Sequence, residues 1–428
     1  MLSKYHFVIL CAALLVSSKV HSADVGSNQH ESEISLVGAI QRANAHHPSL
    51  AGFDFELQTR RAEEAQSAIG PSPSMKFELA DVAGTGEYSG LDSAQATLGI
   101  AWLIEGSIRQ GYQNVASAQT RTTLTEIDLK RLEIASETAR FYILSLANQS
   151  RFETTKESVV LAEKTVDEIR KRLRAGRAAS AELARAEAEL ARRKLGAEDI
   201  EHEMISSYRL LAAQWGETSP GFSKVSGDIY QLPEPVAFEE LETRLSQNPD
   251  YVRLRMQRNI KQAALKLEKS KASSPWEVNL GLRHFESTQD QSLVVGISIP
   301  FGKRSRNSVG IERAQAQLAG VDAEENVLKI HFKTMLFVQY QEYLHSLHRI
   351  ETFRGQIIPK LESALEETRK AYLLGRYSYL EWQSVQSDLL SAKTELLESS
   401  VDAHLKMIEI ERLTGVQLSQ SDSEKNKD

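Results

Sequence analysis

Cysteine is almost missing: Cys11 is the only one in 428 residues. It falls in an N-terminal segment with the form of a secretory signal, so the exported chain would hold no disulfide, thiolate metal site or thiol nucleophile. Glycine and proline are sparse, at 23 and 10, which suits long uninterrupted elements. Past the N-terminus no apolar run reaches 18 residues, so a membrane would have to be crossed by strands. The formal net charge of -7 gives no footing for a nucleic-acid partner. No phosphate loop, nucleophile elbow or zinc-protease pattern is present. The chain therefore reads as a non-enzyme without a cofactor. His46-His47 and His345/His348 are pairs lacking a third ligand, and they read as surface or packed histidines.

What is present begins with Lys4 and the ten-residue apolar run FVILCAALLV at 7–16. Small residues follow up to Ser22 and Ala23. This is a signal peptide over 1–22, too short to span a bilayer. With 41% hydrophobic and 25% charged residues, the remainder has the balance of a folded chain.

The chain is written twice. NAHHPSL at 44–50 answers to SQNPDYV at 246–252. Pro48 and Pro249 are 201 apart, Pro73 and Pro275 are 202, Gly106 and Gly302 are 196, and Gly176 and Gly375, each followed by arginine, are 199. The expected organisation is a first repeat at 23–215, a connector at 216–236, a second repeat at 237–418 and a polar tail at 419–428. Within a repeat the pattern predicts a helix (34–69; 238–272), two strands, a helix of about 70 residues (107–175; 303–374) and, after a glycine turn, a further helix (181–215; 380–414). Seventy helical residues span about 100 Å. The two shorter helices stacked end to end would match that length. Apolar residues recur every seven positions, as at Leu183, Leu190, Ala197, Met204 and Leu211, the seam of a coiled coil.

Four segments alternate with period two. They lie at about 74–104 and 276–301. Met75, Phe77 and Leu79 share one face, as do Leu98, Ile100, Trp102 and Ile104; Trp276, Val278, Leu280 and Leu282; and Leu293, Val295, Ile297, Ile299 and Phe301. Their length suits tilted membrane strands, with Trp102, Trp276 and Phe301 as interfacial aromatics. Four strands cannot enclose a pore, so several copies would be needed; three would supply twelve strands.

Two stretches carry a family resemblance. One is the strand-to-helix junction GISIPFGKRSRNSVGIERAQAQL at 296–318. The other is the hairpin tip, RLRAGRAASAELARAEAEL and YLLGRYSYLEWQSVQSDLL. Together with the signal, the repeat and the paired strands, they make the chain resemble the TolC family of outer-membrane efflux proteins. The first junction departs from the pattern, with Ile104 and Glu105 where Pro300 and Phe301 stand. The resemblance implies a mainly helical fold: an α-barrel of antiparallel coiled-coil helices in the periplasm and a 12-stranded β-barrel in a homotrimer. It implies a passive duct through the outer membrane, working with a periplasmic adaptor and an inner-membrane pump, foremost of the RND type. The tip residues Gly176, Arg177, Ser180, Gly375, Arg376 and Ser378 would meet the adaptor. Gly176 and Gly375 suit a helix C′ position and Ser180 and Ser378 the next N-cap. Glu182 and Glu381, six residues past each glycine, are candidate gate acids. The family's second acid is replaced by Arg185 and Ser384. The lean is toward the heavy-metal, cobalt–zinc–cadmium branch. Drug efflux, type I secretion and a periplasmic coiled-coil adaptor are the alternatives.

Overall fold

The computed structural model describes residues 33–232, 234–273, 275–300 and 307–415. The signal segment with Cys11, Phe301 and the polar tail lie outside them. Helices α1 (Leu36–His46) and α2 (Leu50–Ala68) precede strands β1 (Ser74–Ala80) and β2 (Gln95–Ile104). Helix α3 (Ser107–Arg174) and α4 (Ser180–Ala212) follow. The order then recurs: α5 (Phe238–Arg244), α6 (Pro249–Ser270), β3 (Trp276–Phe285), β4 (Gln291–Ser298), α7 (Ser308–Thr352), α8 (Ile358–Leu373) and α9 (Tyr379–Thr414). Among the described residues no helix is long and apolar enough to cross a membrane.

The helices expected at 34–69 and 238–272 are each broken. Proline disfavours helical backbone in the residue before it. His47 accordingly turns extended ahead of Pro48 (ψ 126°), and Asn248 does so ahead of Pro249 (ψ 133°). Side chains then start the next helix. Asn248 Oδ1 accepts from the amides of Asp250 (2.8 Å) and Tyr251 (3.3 Å). His47 Nδ1, at the matching place, accepts from the Ser49 amide at 3.2 Å.

Helix α3 runs unbroken for 68 residues, about 100 Å. Its counterpart contains a π-turn, Phe353–Ile357, between α7 and α8. The turn absorbs one residue. Before it, buried positions in the two repeats match at a spacing of 198: Ala116 with Ala314, Thr123 with Val321, Ile134 with Phe332, Thr138 with Leu336. Beyond it the spacing is 199, as for Ile169 with Thr368 and Gly176 with Gly375.

Side by side, the upper helices lie in the order α2, α3, α6, α7, and the sheet in the order β1-β2-β3-β4, all antiparallel. Below, α4 packs on α3, and α9 on α7, α8 and α3. The main core sits at mid-length. There Ile34 forms a parallel bridge with Val225 of the connector, packed over Tyr142, Leu146, Leu211 and Trp215. The Gln149 amide holds Val225 at both its N–H and its carbonyl, each at 3.1 Å. Half-buried His404 of α9 holds the Ile229 carbonyl at 3.1 Å. The connector is thus tied to both repeats.

Candidate functional site: the hairpin tips and the open sheet

Both tips close in the same way. After α3, Gly176 is left-handed (φ 69°) and donates to the Leu173 carbonyl at 3.0 Å; the next amide, Arg177, donates to the Arg172 carbonyl at 2.8 Å. After α8, Gly375 (φ 74°) donates to Tyr372 and Arg376 to Ala371, both at 2.9 Å. These bonds satisfy the last carbonyls of each long helix, and the left-handed backbone requires glycine.

The following helices start differently. Ser378 is the N-cap of α9, and its hydroxyl accepts from the Glu381 amide at 3.3 Å. The Glu381 carboxylate accepts in return from the Ser378 amide at 2.7 Å. This capping box holds the Glu381 carboxyl below its ordinary pKa. Ser180 is not an N-cap. Ala179 occupies that place without a side-chain bond, and Ser180 is the first residue of α4. Each N-cap stands three positions past its tip glycine, which puts Ala179, and not Ser180, opposite Ser378.

Between the tips lies a small core of Val166, Ile169, Ala186, Tyr372, Tyr379 and Trp382. The Tyr372 and Trp382 rings are 5.2 Å apart, and the Arg172 guanidinium lies 4.8 Å from the Tyr372 ring. The hydroxyl of Tyr372 donates to the Glu182 carboxylate at 2.9 Å. Burial, then that carboxylate, pushes the Tyr372 phenol pKa up. Arg172 also donates to the Leu373 carbonyl, and Arg369 pairs with Glu168. The structure therefore brings Glu182 against the second hairpin and ties Glu381 to its own helix. Tyr372, Trp382, Arg172 and Arg369 are tip residues that the sequence reading did not single out. The signal was the aromatic three residues before Gly375, where the first copy has Leu173.

At the other end, the sheet carries apolar rungs across its strands. Phe77, Leu98, Leu282 and Leu293 are register partners in succession. So are Met75, Ile100, Leu280 and Val295. All eight are exposed, Met75 to 77%. Trp102 and Trp276 are exposed on the same face at the end nearest the helices. The reverse face carries Lys76 paired with Glu277, Arg283 donating to Thr97 at 2.9 Å, and Gly99 opposite Gly281. A Cβ on Gly281 would stand 2.9 Å from the Leu98 carbonyl oxygen. An apolar face of this extent marks contact with lipid or protein. Among the described residues, strands β1 and β4 are the edges of this sheet.

His345 and His348 are exposed on α7. Among the described residues, no three His, Cys, Asp or Glu side chains are grouped to hold a metal ion.

A four-stranded sheet with one apolar face, continued into rods of about 100 Å, is the fold of solved outer-membrane channels. The solved outer-membrane channel OprN superposes with a TM-score of 0.71 at 15% identity, over 89% of this chain and 90% of that one. In sequence, the chain is 22% identical to the cobalt-zinc-cadmium resistance protein CzcC of Cupriavidus metallidurans over 382 residues, 89% of this chain and 90% of CzcC. It is 23% identical to the nickel and cobalt resistance protein CnrC of the same organism, over 75% of this chain and 78% of CnrC. The chain is homologous to both. No family model matches it.

Proposed function

We propose that the chain is one subunit of a homotrimeric outer-membrane duct of a tripartite efflux system, with heavy-metal cations as cargo. The observation that carries this reading is the pair of four-strand apolar rungs on an open-edged sheet. Such a face is stable against lipid, and three copies would close the edges into twelve strands. The helical part would stand in the periplasm, its tips toward a periplasmic adaptor and an RND-type inner-membrane pump, which supplies the energy. Homology to CzcC and CnrC supports metal cargo. Gly176, Arg177 and Ser180, with Gly375, Arg376 and Ser378, form the adaptor-facing ends. Glu182 and Glu381, at matching places, would ring the entrance and favour cations.

Two measurements test the reading. The full chain should fractionate with outer membranes, and recovery in the detergent-free soluble fraction would refute the duct. A deletion strain should become sensitive to zinc, cobalt, nickel or cadmium and not to drugs. Drug sensitivity alone would shift the cargo, and a secretion defect would point to a protein substrate.

A further inference from the structure

The two repeats carry different charge where their upper helices meet the sheet. In the second repeat, Glu268 near the end of α6 is held by two donors. Lys271 Nζ lies 2.8 Å from its Oε1, and Asn307 Nδ2 lies 2.8 Å from its Oε2. These bonds, that of Lys271 foremost, hold the Glu268 carboxyl below its ordinary pKa. Cation and anion there satisfy one another. At the spacings of 201 for α2 against α6 and 198 for α3 against α7, the first repeat has Ser67 for Glu268, Gly70 for Lys271 and Arg109 for Asn307. The cation is kept, moved from one helix to the other, and its carboxylate is gone.

Arg109 is half-buried all the same. Its guanidinium lies against Gly70, where a Cβ would stand 1.4 Å from Nη2. Among the described residues its side chain makes no hydrogen bond or ion pair. A half-buried charge without a partner is costly, and an anion from outside the chain removes that cost. Arg109 opens into a hollow of about 450 Å³, lined also by Ser67, Ile69, Glu105 and Tyr112. Glu63 at its border is already paired with Arg60 at 3.0 Å. Glu105, one turn before Arg109, is half-buried, and its carboxylate has no partner among the described residues. The hollow thus offers one guanidinium and one carboxylate, both open and not paired with each other.

Its place in the fold names the ligand. Ile104 ends β2 and Glu105 follows at once, three residues past the exposed Trp102. Ile69 and Ile104 beside the hollow are 75% and 51% exposed. Aromatic residues at the end of a lipid-facing band mark the depth of the headgroups. We propose that the hollow holds the headgroup of a zwitterionic phospholipid with a primary ammonium, as in phosphatidylethanolamine. Arg109 donates to the phosphate, Glu105 accepts from the ammonium, and Ile69 and Ile104 border the acyl chains. The planar guanidinium can donate to two phosphate oxygens at once. The assignment rests on reading the sheet as membrane-spanning.

Lipid retention by the full chain tests the site. The chain is extracted from outer membranes, delipidated in detergent and given phosphatidylethanolamine or phosphatidylglycerol, and bound lipid is counted by native mass spectrometry. The native chain should retain phosphatidylethanolamine several-fold better than phosphatidylglycerol. Arg109→Gln should lower that retention several-fold. Ser67→Glu, which restores the carboxylate of the second repeat, should lower it likewise. Glu105→Gln should erase the preference between the two lipids. Retention unchanged in both Arg109→Gln and Ser67→Glu would overturn the proposal. So would equal binding of glycerophosphoethanolamine, the same headgroup without acyl chains. Loss of the oligomer in Arg109→Gln with lipid retention unchanged would also overturn it, and would assign Arg109 to a neighbouring copy. If Arg109→Gln does not reach the membrane, Arg109→Lys keeps the charge without the fork and should give a smaller loss; no loss there or in Ser67→Glu would again overturn the site. All these results leave the duct reading standing. A native chain absent from outer membranes would remove that reading, and this site with it.

Discussion

The Tyr372 hydroxyl donates to the Glu182 carboxylate at 2.9 Å, which joins the tip of the second hairpin to the first turn of α4. Tyr372 is almost wholly buried, at 2% exposure, so its hydroxyl has no water to fall back on. Tyr372→Phe keeps the ring against Trp382 and Arg172 and removes only this bond. A hydrogen bond to a charged group is worth about 1.5–3 kcal/mol. Faster amide hydrogen exchange at 172–182 and 372–382 should report the loss. Unchanged exchange would show that the bond carries no weight.

The same pair sets an alkaline limit. A phenol whose pKa is raised in the fold contributes stability below its ordinary value of 10.0 and loses it as pH climbs past that point. Tip protection should therefore be level across neutral pH and fall only in strong alkali. Tyr372→Phe should shrink that alkaline step, leaving the part owed to Tyr379, whose phenol burial also pushes up.

His404 behaves in the opposite sense. Burial pushes its pKa below 6.5, against smaller upward pulls from the Ile229 carbonyl and Asp228. A histidine kept neutral by the fold gives full stability above 6.5 and loses it as pH falls below that value. Exchange at 225–232, where the connector docks, should accelerate between neutral pH and pH 5. His404→Gln should flatten that dependence.

Gly111 is a point of close approach between the repeats, where α3 meets α6. Gly111→Val, which copies the residue at Val309, places a side chain against Leu267 and should destabilise the chain by about 1–3 kcal/mol through overpacking. A lowered midpoint of thermal unfolding in detergent would register it. The converse change, Val309→Gly, alters an exposed position and should leave contacts within one chain intact.

On the sheet, neighbouring residues of β1 should respond oppositely. Phe77→Arg sets a charge on the apolar face, at a cost of about 2–4 kcal/mol near a bilayer midplane, and should sharply lower the amount in the outer membrane. Glu78→Arg, on the reverse face, should be tolerated. Immunoblotting of membrane fractions distinguishes the two, and equal tolerance would contradict the lipid-facing assignment.

The large elements were legible because each rests on a period. Alternation in SMKFELA and LVVGISI predicted the strands, and the glycine-arginine pairs at 176–177 and 375–376 predicted the turns. The breaks at Pro48 and Pro249 were visible as residues but were read through as helix, although the residue before proline resists helical backbone. The cap at Ala179 was missed because its side chain bonds nothing, and Ser180 beside it looked better suited. Tyr372 and Glu182 are 190 residues apart, and no local pattern announces a partner at that distance.

The π-turn at Phe353–Ile357 acts on orientation as much as on length. A residue added to a regular helix would swing everything beyond it by 100°. Tyr372 would then face away from Glu182, and Arg369 away from Glu168. By taking up the surplus residue in one wide turn, the second rod stays in phase with the first. The two hairpins arrive level and facing one another, from sequences of unequal length.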